Sequence, residues 1–146
     1  MQPEVAGVRA RLTATGGHGA TIYAPGAPTS DPRTAAFLNG LAGRSIELCE
    51  GHRYVSCQGA VQALPTALAC AEWLERSGRE TLAALIFGYE VAARIGAGLT
   101  ARPLAHQNGQ APLLGAVGAG ARVRGLTGDQ TSLALRIGAI LVLTPS

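Results

Sequence analysis

Lysine does not occur in this sequence, and charged residues of any kind are scarce. They make up 14% of the 146 residues, and all 12 side chains counted as Lys or Arg are arginine. Without lysine the chain has no side-chain amine for a Schiff base and no lysine general base. The arginines are scattered from Arg9 to Arg136 without a run, whereas nucleic-acid binding needs a clustered basic face. We therefore predict no nucleic-acid partner.

Aromatic side chains, cysteines and long apolar runs are scarce as well. Aromatic residues amount to 4%, and the three cysteines, at positions 49, 57 and 70, form no CxxC motif. No secretory signal is evident, so the odd cysteine set predicts a reduced, cytoplasmic protein. No apolar run reaches the roughly 20 residues of a membrane-spanning helix. The three histidines, His18, His52 and His106, lack metal-ligand spacing, so we expect neither a membrane nor a metal site.

Small apolar residues are what the chain has in quantity. Hydrophobic residues make up 47%, and there are 20 glycines, a composition that favours a mostly α fold of closely packed helices. Residues 1–32, rich in Gly and Pro, are predicted to be a lead-in of loops with one short strand at Thr21–Ala24. Residues 33–146 are predicted to form one helical domain. Its helices are expected at Arg33–Glu47, Ala60–Arg76, Ser77 to Gly96 or Gly98, Gln110–Val123 and Asp129–Leu143.

Local signals support several of these helices. Ser77-Gly-Arg-Glu80 is a capping box, and Gly125 ends the fourth helix, in which Gly115, Gly118 and Gly120 are expected to be contact points. Pro65 is expected to kink the second helix or delay its start. The predicted buried face of the third helix consists of Leu82, Leu85, Ile86, Tyr89, Ala93 and Ile95. The last helix is so apolar that either the core or another chain must cover it.

One short polar segment stands out against this apolar background. Glu47-Leu-Cys-Glu-Gly-His-Arg-Tyr54 gathers two carboxylates, a thiol, an imidazole, a guanidinium and a phenol within eight residues. Polar groups that converge at a loop are often functional. His52 would suit proton transfer near neutral pH, and Arg53 could bind a substrate carboxylate through two hydrogen bonds. The alternatives are a solvated helix end, a surface histidine and a surface ion pair.

Several segments together have the order and spacing of a known family. The sharpest is Gly88-Tyr-Glu-Val-Ala-Ala-Arg94. The others are Ala36-Phe-Leu-Asn-Gly-Leu-Ala42, Ile46-Glu-Leu-Cys-Glu-Gly51, Leu64-Pro-Thr-Ala-Leu-Ala-Cys-Ala-Glu72, Ser77-Gly-Arg-Glu-Thr-Leu82, and Gly115 to Gly125 with Leu126-Thr-Gly-Asp-Gln130. Over roughly residues 8 to 140 the sequence resembles the MmgE/PrpD family, which includes 2-methylcitrate dehydratase, cis-aconitate decarboxylase and iminodisuccinate epimerase.

The resemblance implies an all-helical domain that both ends of a longer chain build, with a smaller α/β lid between them. This sequence corresponds to the early part of that domain and lacks the lid and the later segment with the family's active-site lysine. Family members usually act as homodimers without metal or organic cofactor, so we expect no cofactor and a homo-oligomer or a complementing chain. Their chemistry is proton abstraction next to a carboxylate, followed by loss of water, loss of carbon dioxide or reprotonation.

The resemblance also suggests site residues. Glu47, Cys49 and Glu50 fall where the family has acidic residues that shape the substrate pocket, and His52 lies near its Asn or Thr. His106, within Arg102-Pro-Leu-Ala-His-Gln-Asn108, matches a family histidine; its alternative is a histidine satisfied at a helix start. Cys57-Gln58-Gly59 departs from the family's Gly-His-Pro. Gln58 replaces an active-site histidine and cannot transfer a proton, and such a loss typically costs about 10²–10⁴ in rate.

Two functions follow as hypotheses. The first is a lyase or isomerase acting on a small di- or tricarboxylic acid, with Glu47, His52 and His106 as acid–base candidates and Arg53 as carboxylate anchor. Cys49, Glu50 and Gln58 would line its substrate pocket. The second is a non-catalytic helical module or split subunit that works by association with another chain. The apolar last helix and Gln58 favour the second hypothesis.

Overall fold

The fold is mostly α, as predicted. The structure is a computed structural model, and it describes residues 3–13, 19–55, 57–100 and 109–143. These ranges contain six helices and no β-strand, only the isolated bridges Ala20–Ser30 and His52–Cys57. The helices are α1 (Pro3–Thr13), α2 (Pro32–Ser45), α3 (Ala60–Trp73), α4 (Gly78–Gly98), α5 (Ala111–Val123) and α6 (Gly128–Leu143).

The lead-in differs from the prediction of loops and a strand. Helix α1 begins with Pro3 and carries Glu4 in its first turn, both of which favour a helix start. No strand forms at Thr21–Ala24. Instead, the Thr21 amide donates to Glu72 Oε2 at 2.6 Å and the Tyr23 amide to Asn39 Oδ1 at 2.9 Å. Side chains of α2 and α3 thus take the place of a neighbouring strand.

The helix ends follow the local signals. Asp31 caps α2 by accepting hydrogen bonds from the amides of Arg33 and Thr34 at 3.0 and 3.2 Å. The predicted capping box of Ser77 and Glu80 is present at the start of α4. Gly125 follows α5 at φ +67°, and the Leu126 amide donates back to Ala121 O at 3.1 Å. This left-handed residue and its backward hydrogen bond end the helix as a Schellman motif.

Helix α5 is the centre of the bundle and packs against α3, α4 and α6. Around Gly88 and Gly115 the backbones of α4 and α5 lie so close together that no larger side chain fits between them. A Cβ at Gly88 would lie 2.6 Å from Gly115 O and 2.7 Å from Ala119 Cβ, and one at Gly118 3.1 Å from Val91 Cγ2. The contact roles predicted for Gly115 and Gly118 are confirmed, whereas a Cβ at Gly120 would meet only ordinary contact, 3.7 Å from Thr66 Cγ2.

The predicted buried face of α4 is wrong at Leu82 and Ile86, which are 57% and 56% exposed. The structure buries Ala84, Gly88 and Ala92, and the predicted Leu85 packs half-buried against the core. Close helix approach at Gly88 admits only small side chains beside it, so the larger ones point outward. Helix α6 also leaves large apolar side chains exposed, namely Leu133, Ile137, Ile140 and Leu141. None of the described helices combines the length and apolarity that crossing a bilayer requires.

Pro65 does not delay α3, which begins at Ala60 and continues through the proline to Trp73. A proline removes the hydrogen bond to the carbonyl four residues earlier, here that of Val61. Gly40 of α2 lies beside this carbonyl, because a Cβ at Gly40 would be 3.3 Å from Val61 O and 3.5 Å from Pro65 Cγ. The second and third helices therefore meet at a proline and a glycine.

The close contact of α4 and α5 predicts opposite effects for one substitution at two glycines of α4. Gly88→Ala should lower the free energy of unfolding by about 1–3 kcal/mol, because its Cβ would overlap the α5 backbone. Gly98→Ala, where a Cβ meets nothing within 4 Å, should be neutral or stabilising by up to about 1 kcal/mol. Urea unfolding followed by circular dichroism measures both. Equal effects would show that backbone contact at Gly88 is not limiting.

Candidate functional site

The polar segment after α2 folds back onto the start of α3. The His52 amide donates to Cys57 O at 2.8 Å, and the Val55 amide donates to His52 O at 3.3 Å. This tight turn returns the chain to Gly59, the residue before α3. It brings Glu50, His52 and Cys57 next to Tyr89 of α4, and we call these four residues the polar cluster.

Glu50 connects the polar cluster to α3. Its Oε1 accepts a hydrogen bond from the Ala60 amide at 3.0 Å, so the carboxylate satisfies an amide at the helix N-terminus, where negative charge is favourable. Gly59 offers no side chain for this purpose. Glu50 Oε2 is buried and has no hydrogen-bond partner among the described residues. One oxygen is thus committed to the fold, and the other remains available.

Tyr89 closes the cluster from the side of α4. Its ring lies against Gly59, where an added Cβ would be 3.5 Å from Tyr89 Cδ2 and 3.0 Å from Ala92 Cβ. The His52 and Tyr89 ring centroids are 6.0 Å apart, with the planes tilted by 43°. Burial raises the pKa of the Tyr89 phenol, and the charges of Glu50 and Cys57 raise it further.

The cluster brings a carboxylate, an imidazole, a thiol and a phenol together. The pKa of the Tyr89 phenol is raised, so the phenol is a hydrogen-bond donor at neutral pH. Burial also raises the pKa of the Cys57 thiol. A backbone hydrogen bond at Gly59 lowers this pKa, and the nearby negative charge of Glu50 raises it. Because the thiolate is the nucleophilic form, Cys57 is disfavoured as a nucleophile. His52 Nδ1 is buried with no hydrogen-bond partner in the described part of the chain.

The remaining predicted residues lie in different places. Glu47 is the left-handed residue that ends α2, at φ +55°, and its side chain is 72% exposed and paired with Arg44. Cys49 lies 4.0 Å from Arg44 Nη1. Arg53 is exposed, and Gln58 is half-buried. The structure therefore groups Glu50 with His52 and directs Glu47 elsewhere. The prediction for His106 falls outside the described residues.

Two cavities flank the contact between α2 and α3. The smaller, about 270 Å³, is lined by Cys49 and Glu50 together with Asn39. The larger, about 550 Å³, extends toward α5. Both share Gly40, Val61 and Pro65 in their walls. The smaller cavity therefore gives the polar segment an adjoining space in which a small ligand could lie. The described residues contain no group of three or more His, Cys, Asp or Glu side chains that could hold a metal ion.

Sequence reasoning missed Tyr89 and Cys57 as members of the cluster. The sequence predicts that Tyr89 is a core residue. It marks Cys57 only as part of Cys57-Gln58-Gly59, the segment that departs from the family's Gly-His-Pro. A phenol is nevertheless an unusual group in an Ala-rich helix, and that contrast is the signal that could have found Tyr89. Cys57 offers no comparable signal, because its place depends on the turn that pairs it with His52.

The fold is an all-α domain, and its polar cluster lies where the loop after α2 meets the start of α3 and the side of α4. A family model, the MmgE/PrpD N-terminal domain, matches residues 2–142. The chain belongs to the MmgE/PrpD family, and the family predicted from its sequence is confirmed. No curated protein and no solved structure matches the chain.

The geometry predicts that Glu50 controls the titration of Tyr89. Glu50→Gln should move the pKa of Tyr89 down toward its ordinary value of about 10, because the neighbouring negative charge is removed while burial persists. The titration can be followed by NMR on protein with ¹³Cζ-labelled tyrosine. Glu72→Gln is the matched control: it should lower the pKa of Tyr23, whose hydroxyl lies 3.3 Å from Glu72 Oε1, and leave Tyr89 unchanged. An unmoved Tyr89 in Glu50→Gln would contradict the cluster.

Proposed function

We propose that the chain forms part of a lyase or isomerase of the MmgE/PrpD type that acts on a small di- or tricarboxylic acid. The observation that carries this proposal is the meeting of a carboxylate, an imidazole and a phenol at Glu50, His52 and Tyr89, in a chain of this family. Removing a proton next to a carboxylate needs a base and a group that returns or relays the proton. The cluster supplies groups of both kinds.

The residues divide the work as follows. His52 exchanges the proton, since an imidazole can both accept and donate one and Gln58 cannot take over that task. Tyr89 supplies a protonated hydroxyl beside it. Arg53, exposed at the turn, binds a substrate carboxylate. His106 and Glu47 are the further acid–base candidates, and Cys49 with Glu50 lines the adjoining 270 Å³ cavity.

An activity assay tests this proposal. The purified chain, alone and co-expressed with the neighbouring reading frame, is given cis-aconitate or 2-methylcitrate. We expect turnover that falls by about 10²–10⁴ in His52→Asn and is lost in His106→Ala. Arg94→Gln is the control, because Arg94 is exposed and pairs with Glu90 on α4. Absence of turnover with both substrates and in both preparations would refute the proposed activity.

A second candidate function is association with another chain, and the exposed apolar side chains of α6 favour it. Leu133, Ile137, Ile140 and Leu141 are each more than half exposed. Light scattering should then find an assembly larger than a monomer, and Ile137→Glu should dissociate it, because a buried unpaired charge is costly. Arg136→Glu, on the same helix, should have less effect. A monodisperse wild-type monomer would contradict this function.

A further inference from the structure

The 550 Å³ cavity lies where α2, α3 and the start of α5 meet, and the proposed reaction does not use it. Its volume is within the range of about 300–1,000 Å³ that is typical of small-molecule sites. The described part of its wall is mainly apolar, with Phe37, Leu41, Val61, Pro65, Leu113 and Ala116 as the larger contributions. A ligand that fills it must therefore present an apolar body.

Arg44 is the only charged side chain among the described residues that line this cavity. The polar members Gln62 and Thr66 are uncharged, and the Thr66 hydroxyl already donates to Gln62 O at 2.8 Å. The Arg44 side chain is 36% exposed and is paired with Glu47, whose side chain is 72% exposed. An exposed ion pair of this kind contributes only about 0–1 kcal/mol. A ligand carboxylate can consequently displace Glu47 from Arg44 at small cost.

The number of carboxylates on a ligand determines how well it fits this cavity. One carboxylate can pair with Arg44, whereas a second or third would lie against apolar walls without a partner, which is strongly unfavourable. An uncharged apolar molecule would forgo the charge-assisted hydrogen bonds that a guanidinium offers. We infer that this cavity binds a monocarboxylic acid with an aliphatic or aromatic body, at a site separate from the polar cluster.

Octanoate is the probe for this inference, with citrate and 1-octanol as comparison ligands. Dissociation constants are measured by calorimetry on the full chain, so the result does not depend on turnover. At the site that depends on Arg44, we expect octanoate to bind more tightly than either comparison ligand. Arg44→Gln should weaken octanoate by about tenfold or more, equivalent to about 1.4 kcal/mol, and Ala116→Leu, which fills the cavity, should weaken it as well. Circular dichroism confirms that each variant is folded.

Two further variants separate a specific site from general attraction. Glu47→Gln should strengthen octanoate binding by about two- to fivefold, because it frees Arg44 from its competing carboxylate. Arg33→Gln, on the same helix but 96% exposed and paired with Asp31, should leave binding unchanged. The inference is overturned if octanol binds as tightly as octanoate, if citrate does so and Arg44→Gln weakens it, if Arg33→Gln matches Arg44→Gln, or if Glu47→Gln weakens binding. None of these outcomes bears on the activity proposed for the polar cluster.

Discussion

Backbone contact between α4 and α5 at Gly88 and Gly115 determines how the molecule is built. With 2.6 Å between Gly115 O and a Cβ placed at Gly88, the spacing of these two helices is fixed by their main chains. Tyr89 is the next residue, so the contact also sets the direction in which its phenol points. Gly59 completes the arrangement, because its lack of a side chain lets the polar loop lie against Tyr89 and Ala92. The cluster therefore depends on glycines that carry no chemistry themselves.

The same close packing explains why the core is made of small residues. The buried side chains of α3 and α4 are almost all alanine, and Pro112 is the largest fully buried side chain in the described part of the chain. Dispersion contacts at this distance stabilise the fold through many small contributions. Large side chains such as Leu82, Ile86 and Ile137 lie on the outside, where burying each of them on association would contribute about 1.5–3 kcal/mol. The close approach of the helix backbones thus accounts both for the small residues in the core and for the large apolar side chains on the surface.

Local signals made the helices from α2 onward predictable. Features that depend on contacts between residues distant in sequence could not be predicted. The Ser77–Glu80 box and Gly125 act within a few residues of themselves, so the sequence alone reveals them. The buried face of α4 could not be predicted in the same way, because Leu82 and Ile86 repeat at helical spacing just as Ala84 and Gly88 do. The backbone of α5, distant in sequence, decides between the two faces. Thr21–Ala24 is similar, since Asn39 and Glu72 determine its conformation.

The candidate site shows the same division on a smaller scale. The polar segment is evident in the sequence, yet Glu47 and Glu50 separate because a left-handed residue ends α2 and Glu50 binds the first amide of α3. That hydrogen bond stabilises the loop and leaves the other carboxylate oxygen buried, with no hydrogen-bond partner among the described residues. In the proposed reaction Glu50 therefore holds the loop and the Tyr89 proton in place, while His52 exchanges protons with the substrate. In this proposal His52, whose ring centroid lies 6.0 Å from that of Tyr89, supplies the imidazole that Gln58 does not.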